Sequence, residues 1–183
     1  MEPLLRHATP KDVEAIAHVR VAGWRAAYAG LVPQAMLDAL DPVSEAVRRR
    51  ARWPEQHRHP HALELVAEVD GAVVGWAVAG ASRDEQRPAL GELYGLYVLP
   101  EHWSTGVGHR LMLAVDDHLR SCGYAAAHLW VLDGNERAAG FYERHGWRED
   151  GRTQLDRRGE HVLRERGRLR DLRRDDDLVH KTG

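Results

Sequence analysis

A mixed α/β fold whose sheet begins antiparallel is what the sequence predicts, and three observations predict it. The runs "ALELVAEV" and "AVVGWAVAGA" are strand-like and separated only by Asp70-Gly71, a dipeptide suited to a tight hairpin turn. The run Glu92 to Leu99 then passes through a short loop into a helical pattern from Gly106. A second strand-to-helix unit follows in "AAAHLWVL" and "NERAAGFYERH". A hairpin followed by two strand-to-helix units gives one sheet with helices against it.

The elements can be justified in order. Thr9, Pro10 and Asp12 read as a helix start, with Thr9 as the cap and an acid in the first turn. Val13, Ile16, Ala17, Arg20, Trp24 and Tyr28 recur at helical spacing, so this helix should run to about Tyr28, where Gly30 and Pro33 break it. A short helical piece from Pro33 to Leu40 and a longer one opening at "SEAVRRRARW", capped by Ser44, precede the hairpin. After the third strand, Val107, Leu111, Met112, Val115 and Leu119 trace one helical face up to Cys122-Gly123. Asn135 caps the last helix, Gly146 stops it, and "WRED" starts another strand. Beyond Gly151 the arginine-rich sequence predicts only a short last strand. The expected division is one domain over residues 1–169 and a charged, disordered tail over 170–183.

Composition excludes several classes of function. A chain of 183 residues builds one domain with a substantial core, and a net charge of -2 provides no overall field for nucleic acid or an anionic membrane. The single cysteine, Cys122, rules out an internal disulfide. The N-terminus lacks the basic and apolar regions of a secretion signal, so a cytoplasmic protein is expected. His57, His59 and His61 alternate around Pro60 without a neighbouring cysteine, which reads as a solvated loop, and no metal is expected. Asp175, Asp176 and Asp177 dilute the basic tail, so RNA binding is disfavoured.

The stretch "LYGLYVLPEHWSTGVGHRLM" carries the chemistry. A strand delivering the chain through glycines into a helix N-terminus leaves several backbone N–H groups without partners, and the helix dipole adds positive potential there. Gly106 and Gly108 let the backbone approach an anion without an intervening Cβ. A P-loop would need Gly-Lys-Ser/Thr, where this chain has Gly108-His109-Arg110. A dinucleotide fingerprint would need a glycine where Leu111 stands. On the two glycines alone, a ligand-free turn remains as good a reading.

The second unit decides between them. Asn135 opens a helix that carries Phe141-Tyr142 two turns later and ends in Gly146-Trp147. Together with the first unit, from about Glu92 to Trp147, this resembles the GNAT superfamily of N-acetyltransferases. The segment "GWRAAYAGLVPQAML" is similar to one found in many small bacterial members.

The resemblance implies a mixed central sheet with splayed central strands and flanking helices, and acetyl-CoA as co-substrate. It assigns the pyrophosphate to Trp103, Ser104, Thr105, Gly106, Val107, Gly108 and His109, with Trp103 standing where the family usually has Gln or Arg. It assigns the pantetheine arm to Leu96, Tyr97 and Val98, with Asn135 also touching it, and places a backbone N–H near Leu96 against the developing oxyanion. Tyr142 becomes the general acid toward the CoA sulfur. Glu92, which strand alternation puts on one face with Tyr94, Leu96 and Val98, becomes the base, acting directly or through water. Trp24 and Tyr28 fall where the family lines its acceptor pocket. The expected partner is a small-molecule amine, with no membrane or nucleic acid, and a homodimer is left open. The alternatives are a peptide or protein N-acetyltransferase and an acyl-CoA-binding module without turnover.

Overall fold

The computed structural model describes residues 2–173. One seven-stranded sheet runs in the order β1-β2-β3-β4-β5-β7-β6, made of β1 (Leu4–His7), β2 (Leu63–Val69), β3 (Ala72–Ala81), β4 (Gly91–Val98), β5 (Ala126–Leu132), β6 (Arg148–Arg158) and β7 (His161–Asp171). The helices are α1 (Val13–Ala27), α2 (Gln34–Asp38), α3 (Pro42–Gln56), α4 (Val107–Ser121) and α5 (Glu136–Arg144). Every neighbouring strand pair is antiparallel except β4 with β5. The mixed α/β fold with an antiparallel start is therefore what the chain adopts.

The β2–β3 hairpin turns where expected, with Asp70 and Gly71 both at positive φ (52° and 78°), the conformation a two-residue turn needs to match strand twist. Other boundaries moved. The first helix opens with one 3-10 turn at Pro10–Asp12 before α1. The cap of α3 is Asp41, whose carboxylate accepts from the N–H groups of Val43 and Ser44; Ser44 is a capped residue and Pro42 takes the first helical position. The strand β1 was not expected, because four residues that include Arg6 and His7 show no apolar alternation.

The C-terminal expectation is corrected most. In place of a short strand and a tail from residue 170, β6 and β7 form a hairpin of two 11-residue strands, and Leu172 is fully buried with its N–H bonded to Ala125. Residues 174–183 lie outside the described residues. The arginines at 164, 166, 168 and 170 hid the strand: they occupy one face, where Arg166 meets Asp133 at 2.6 Å, Arg168 meets Glu143 at 3.1 Å and Arg170 meets Asp116 at 3.2 Å. Alternation between charged and mixed residues is still period two, but it does not read as hydrophobicity.

Two polar clusters fasten the helical layer. Glu64 on β2, 4% exposed, accepts from Arg49 of α3 at 2.8 Å and from the Trp76 indole at 2.7 Å, and meets His57 at 3.0 Å. The Arg49 guanidinium lies over the Trp76 ring. At the start of α1, Asp12 takes a two-pronged contact from Arg6 and a bond from the Thr9 N–H. Arg6 holds the Asp12 carboxyl down from its ordinary 3.8 to about 2. A carboxyl lowered on folding stabilises the fold above its unfolded pKa, and that contribution fades as pH falls through 3.8 toward 2. We expect Asp12→Asn to cost about 1–2 kcal/mol at neutral pH and much less at pH ~2. Urea midpoints of both proteins across that range measure the difference, and a pH-independent gap would assign it to packing.

Candidate active site

The site originates in strand geometry. β4 and β5 pair over only two residue pairs, Gly91 with Ala127 and Glu92 with His128, and then separate. On its other edge β4 carries a bulge: Ala79 faces Leu93 and Val78 faces Gly95, so Tyr94 is the extra residue. The expected face is corrected by this bulge. Leu96 and Val98 fall on the face of Leu93, toward α4, whereas Glu92 shares its face with Gly95 and Tyr97, toward α1. Uninterrupted alternation could not have shown it.

The diverging strands open onto a cavity of about 950 Å³. Its walls come from the end of α1, β4 from Leu93 to Val98, Trp130 and Val131 of β5, the loop before α4, and α5 from Asn135 to His145. Of the residues expected at the cofactor, Leu96, Tyr97, Val98, Trp103, Ser104, Gly106, Gly108, His109 and Asn135 line this cavity, as does Tyr142. Val107 does not, being 1% exposed in the core, and Thr105 turns its hydroxyl to the His102 carbonyl. Asn135 accepts the Ala138 N–H as the cap of α5, so part of its side chain is committed to the helix.

At the loop, Gly106 caps α4 with φ +92°, a conformation costly for other residues, and offers no side chain to the first-turn amides. The Phe141 ring packs next to Gly108, where a Cβ would stand in ordinary contact with it at 3.4 Å. Cations gather around this amide group. Arg137 of α5 lies 3.3 Å above the Trp103 ring, so a charge from the neighbouring helix sits on the position where the motif has lost its own. Burial lowers the pKa of that guanidinium. The His145 Nδ1 donates to the Phe141 carbonyl, which leaves its Nε2 to accept from His109 Nδ1 at 2.9 Å. Arg137 and His145 were missed in the sequence because only the fold brings α5 against the loop. The donor set, convergent amides with an arginine at a glycine-opened helix N-terminus, suits a polyanionic ligand.

Tyr142 stands half-buried between Phe141 and Trp147. Burial first, and the nearby Tyr97, push its phenol pKa up, while buried Arg168 opposes them, so the hydroxyl stays protonated at neutral pH. Glu92 is 2% exposed and does not line the cavity. Its carboxylate is bonded by the Arg83 N–H at 2.7 Å and the Arg83 guanidinium at 2.5 Å, with His128 at 3.7 Å. Arg83 in turn lies over the Tyr94 ring.

Tyr28 lines the cavity, with burial and Tyr97 raising its pKa. Trp24 does not: it is 4% exposed, donates its indole N–H to the Tyr97 hydroxyl at 2.8 Å, and packs with Val32, Leu37, Leu132 and Leu163. Helical spacing could not separate these two aromatics. Cys122 has a histidine neighbour the sequence did not suggest, with Sγ 3.5 Å from His118, and neither lines the cavity. His57 is held by Glu64 and His61 meets the Tyr124 hydroxyl. Among the described residues no three His, Cys, Asp or Glu side chains gather as metal ligands, and no helix is long and apolar enough to cross a membrane.

The chain is similar to known acetyltransferases. An uncharacterised N-acetyltransferase of Bacillus subtilis is 29% identical over 131 residues, 72% of each chain. An aminoglycoside N(6′)-acetyltransferase of Stenotrophomonas maltophilia is 32% identical over 126 residues, covering 66% of this chain and 70% of that one. Among solved structures, a putative acetyltransferase from Salmonella typhimurium with its cofactor acetyl-CoA superposes with a TM-score of 0.68 at 20% identity, covering 95% of this chain and 96% of that one. The family model described as the acetyltransferase (GNAT) family matches residues 31–147, which include both strand-to-helix units and the cavity walls they build, so the chain belongs to that family of acyltransferases.

Proposed function

We propose that the protein moves an acetyl group from acetyl-CoA to the amine of a small molecule by direct attack, with both substrates bound together. The observation that carries this reading is the convergence on one cavity of three parts: the gap between β4 and β5, the glycine-opened start of α4, and Tyr142. Acetyl-CoA, when bound, supplies an activated acetyl thioester.

The amides of Gly106, Val107, Gly108 and His109, with Arg137, hold the phosphates. The unpaired edge of β4 from Leu96 to Val98 offers backbone groups to an extended arm, and the Leu96 amide polarises the carbonyl. Tyr142 gives its proton to the departing sulfur. Glu92 stands behind the cavity wall, so the amine's proton reaches it through water. A small-molecule acceptor is favoured over a peptide because the cavity is walled by Tyr28 on the α1 side and Trp130 on β5, and because one relative is named for an aminoglycoside.

Calorimetric titration with acetyl-CoA, CoA lacking its 3′-phosphate, and ATP tests the cofactor site. Micromolar binding selective for acetyl-CoA is expected, and absence of binding would sink the reading. Binding without turnover on a broad amine panel would favour the acyl-CoA-binding module.

A further inference from the structure

We propose that Glu165 receives a second, cationic amino group of the acceptor, making the acceptors diamines, polyamines or amino sugars; this inference rests on the acetyl-transfer reading above. On the α1 face of the sheet the charged side chains occur in matched sets. Arg83 is held by Glu92 at 2.5 Å, Arg158 by Asp156 at 2.6 Å, and Arg87 by Asp150 at 2.6 Å, while Arg152 lies 3.6 Å from Asp84. Glu165 is the carboxylate left over. Among the described residues no cation lies within ion-pair distance of it, and its bond is from the neutral Gln154 amide at 2.6 Å. It is therefore a carboxyl group with no cation of its own to balance it when ionised.

Its position fits an acceptor bound in the cavity. Glu165 faces Leu132 across the β5–β7 pair, two positions along β5 from Trp130, and shares its face with Leu163, which packs in the cluster of Trp24 and Tyr28. Glu165 does not itself line the cavity; Tyr28, which does, packs in the cluster that Leu163 joins, so the half-buried Glu165 sits behind that part of the wall, where burial raises its carboxyl. Arg83 and Arg158 also act on it, but each is already bound to its own carboxylate. An ammonium reaching past the rings of Tyr28 and Trp130 would meet this carboxylate, a setting that favours cations and repels the carboxylate of an amino acid. The reacting nitrogen has to be neutral and near Leu96 and Tyr142, at the β4–β5 gap. Glu165 lies on the next strand over, roughly 5 Å beyond β5, so the charge it binds belongs to a different nitrogen of the same molecule.

Steady-state acetylation of 1,4-diaminobutane and of n-butylamine by the wild type and by Glu165→Gln, with acetyl-CoA titrations of both proteins, tests this. The wild type should favour the diamine by at least ~10-fold in kcat/KM, and Glu165→Gln should lose that preference through KM. Its kcat, its rate on butylamine and its affinity for acetyl-CoA should be retained. Equal treatment of the two amines by the wild type, or equal loss on both in the variant, would overturn the inference. A wild type that binds acetyl-CoA yet acetylates no diamine also overturns it, with the cofactor site intact. Failure to bind acetyl-CoA would instead sink the reading on which it rests.

Discussion

Replacing Tyr142 with Phe should lower kcat about 100-fold or more while leaving acetyl-CoA binding essentially unchanged. The ring packs edge-on against Phe141 and Trp147, and phenylalanine keeps those contacts. Only the hydroxyl is lost. That hydroxyl is kept protonated by burial and by Tyr97, so it can donate but is a poor base at neutral pH. Without it, a thiolate leaves unprotonated or waits for solvent, and the penalty falls on the chemical step. Pre-steady-state turnover with titration of both proteins separates the contributions. A variant as fast as the wild type would transfer the acid role to water, and a variant that loses acetyl-CoA affinity would make Tyr142 a binding residue.

The largest loss of stability is expected at Glu64. Glu64→Leu leaves the Arg49 guanidinium, 7% exposed, and the Trp76 indole N–H without their acceptor. Breaking a buried pair from one side costs about 3–5 kcal/mol, a large share of the roughly 5–15 kcal/mol that holds a domain together. Burial already lowers the Arg49 pKa, the sign of a cation whose dehydration is offset only by its carboxylates. Removing both charges should cost less than removing one. The double variant Glu64→Leu/Arg49→Met should therefore recover much of the lost stability, as read from guanidinium denaturation midpoints. If the double variant is as unstable as the single ones, the cluster acts through shape rather than charge.

How much could be read from sequence follows from the range of the interactions involved. The hairpin at Asp70-Gly71, the α4 start at Gly106 and the Asn135 cap are local, and each was legible because the residue type is required by its own backbone. The cavity residues between Leu96 and Tyr142 were legible only through the family resemblance that the two strand-to-helix units carry. The place of the bulge, at Tyr94, was not, because an inserted residue leaves no mark on composition and yet reverses every face after it. The strands β6 and β7 were obscured for a related reason. The arginines of β7 are satisfied by Asp133, Glu143 and Asp116, distant positions that no sequence window contains. Arg137 over Trp103 and Glu165 opposite Leu132 likewise exist only once two elements have met.

The gap between β4 and β5 also bears on solubility. A strand edge with free N–H and C=O groups is ordinarily a template on which another chain can add, and proteins shorten, charge or twist such edges to prevent it. Here two edges of that kind face each other inside one sheet, since β4 and β5 cease to pair after Glu92 and His128. A second protein strand would need to thread between Tyr28, Trp130 and Phe141, which line the space on its several sides. A slender, flexible arm with amide groups of its own needs far less room. The molecule thus keeps an incomplete sheet whose gap is walled by side chains rather than left as an open edge.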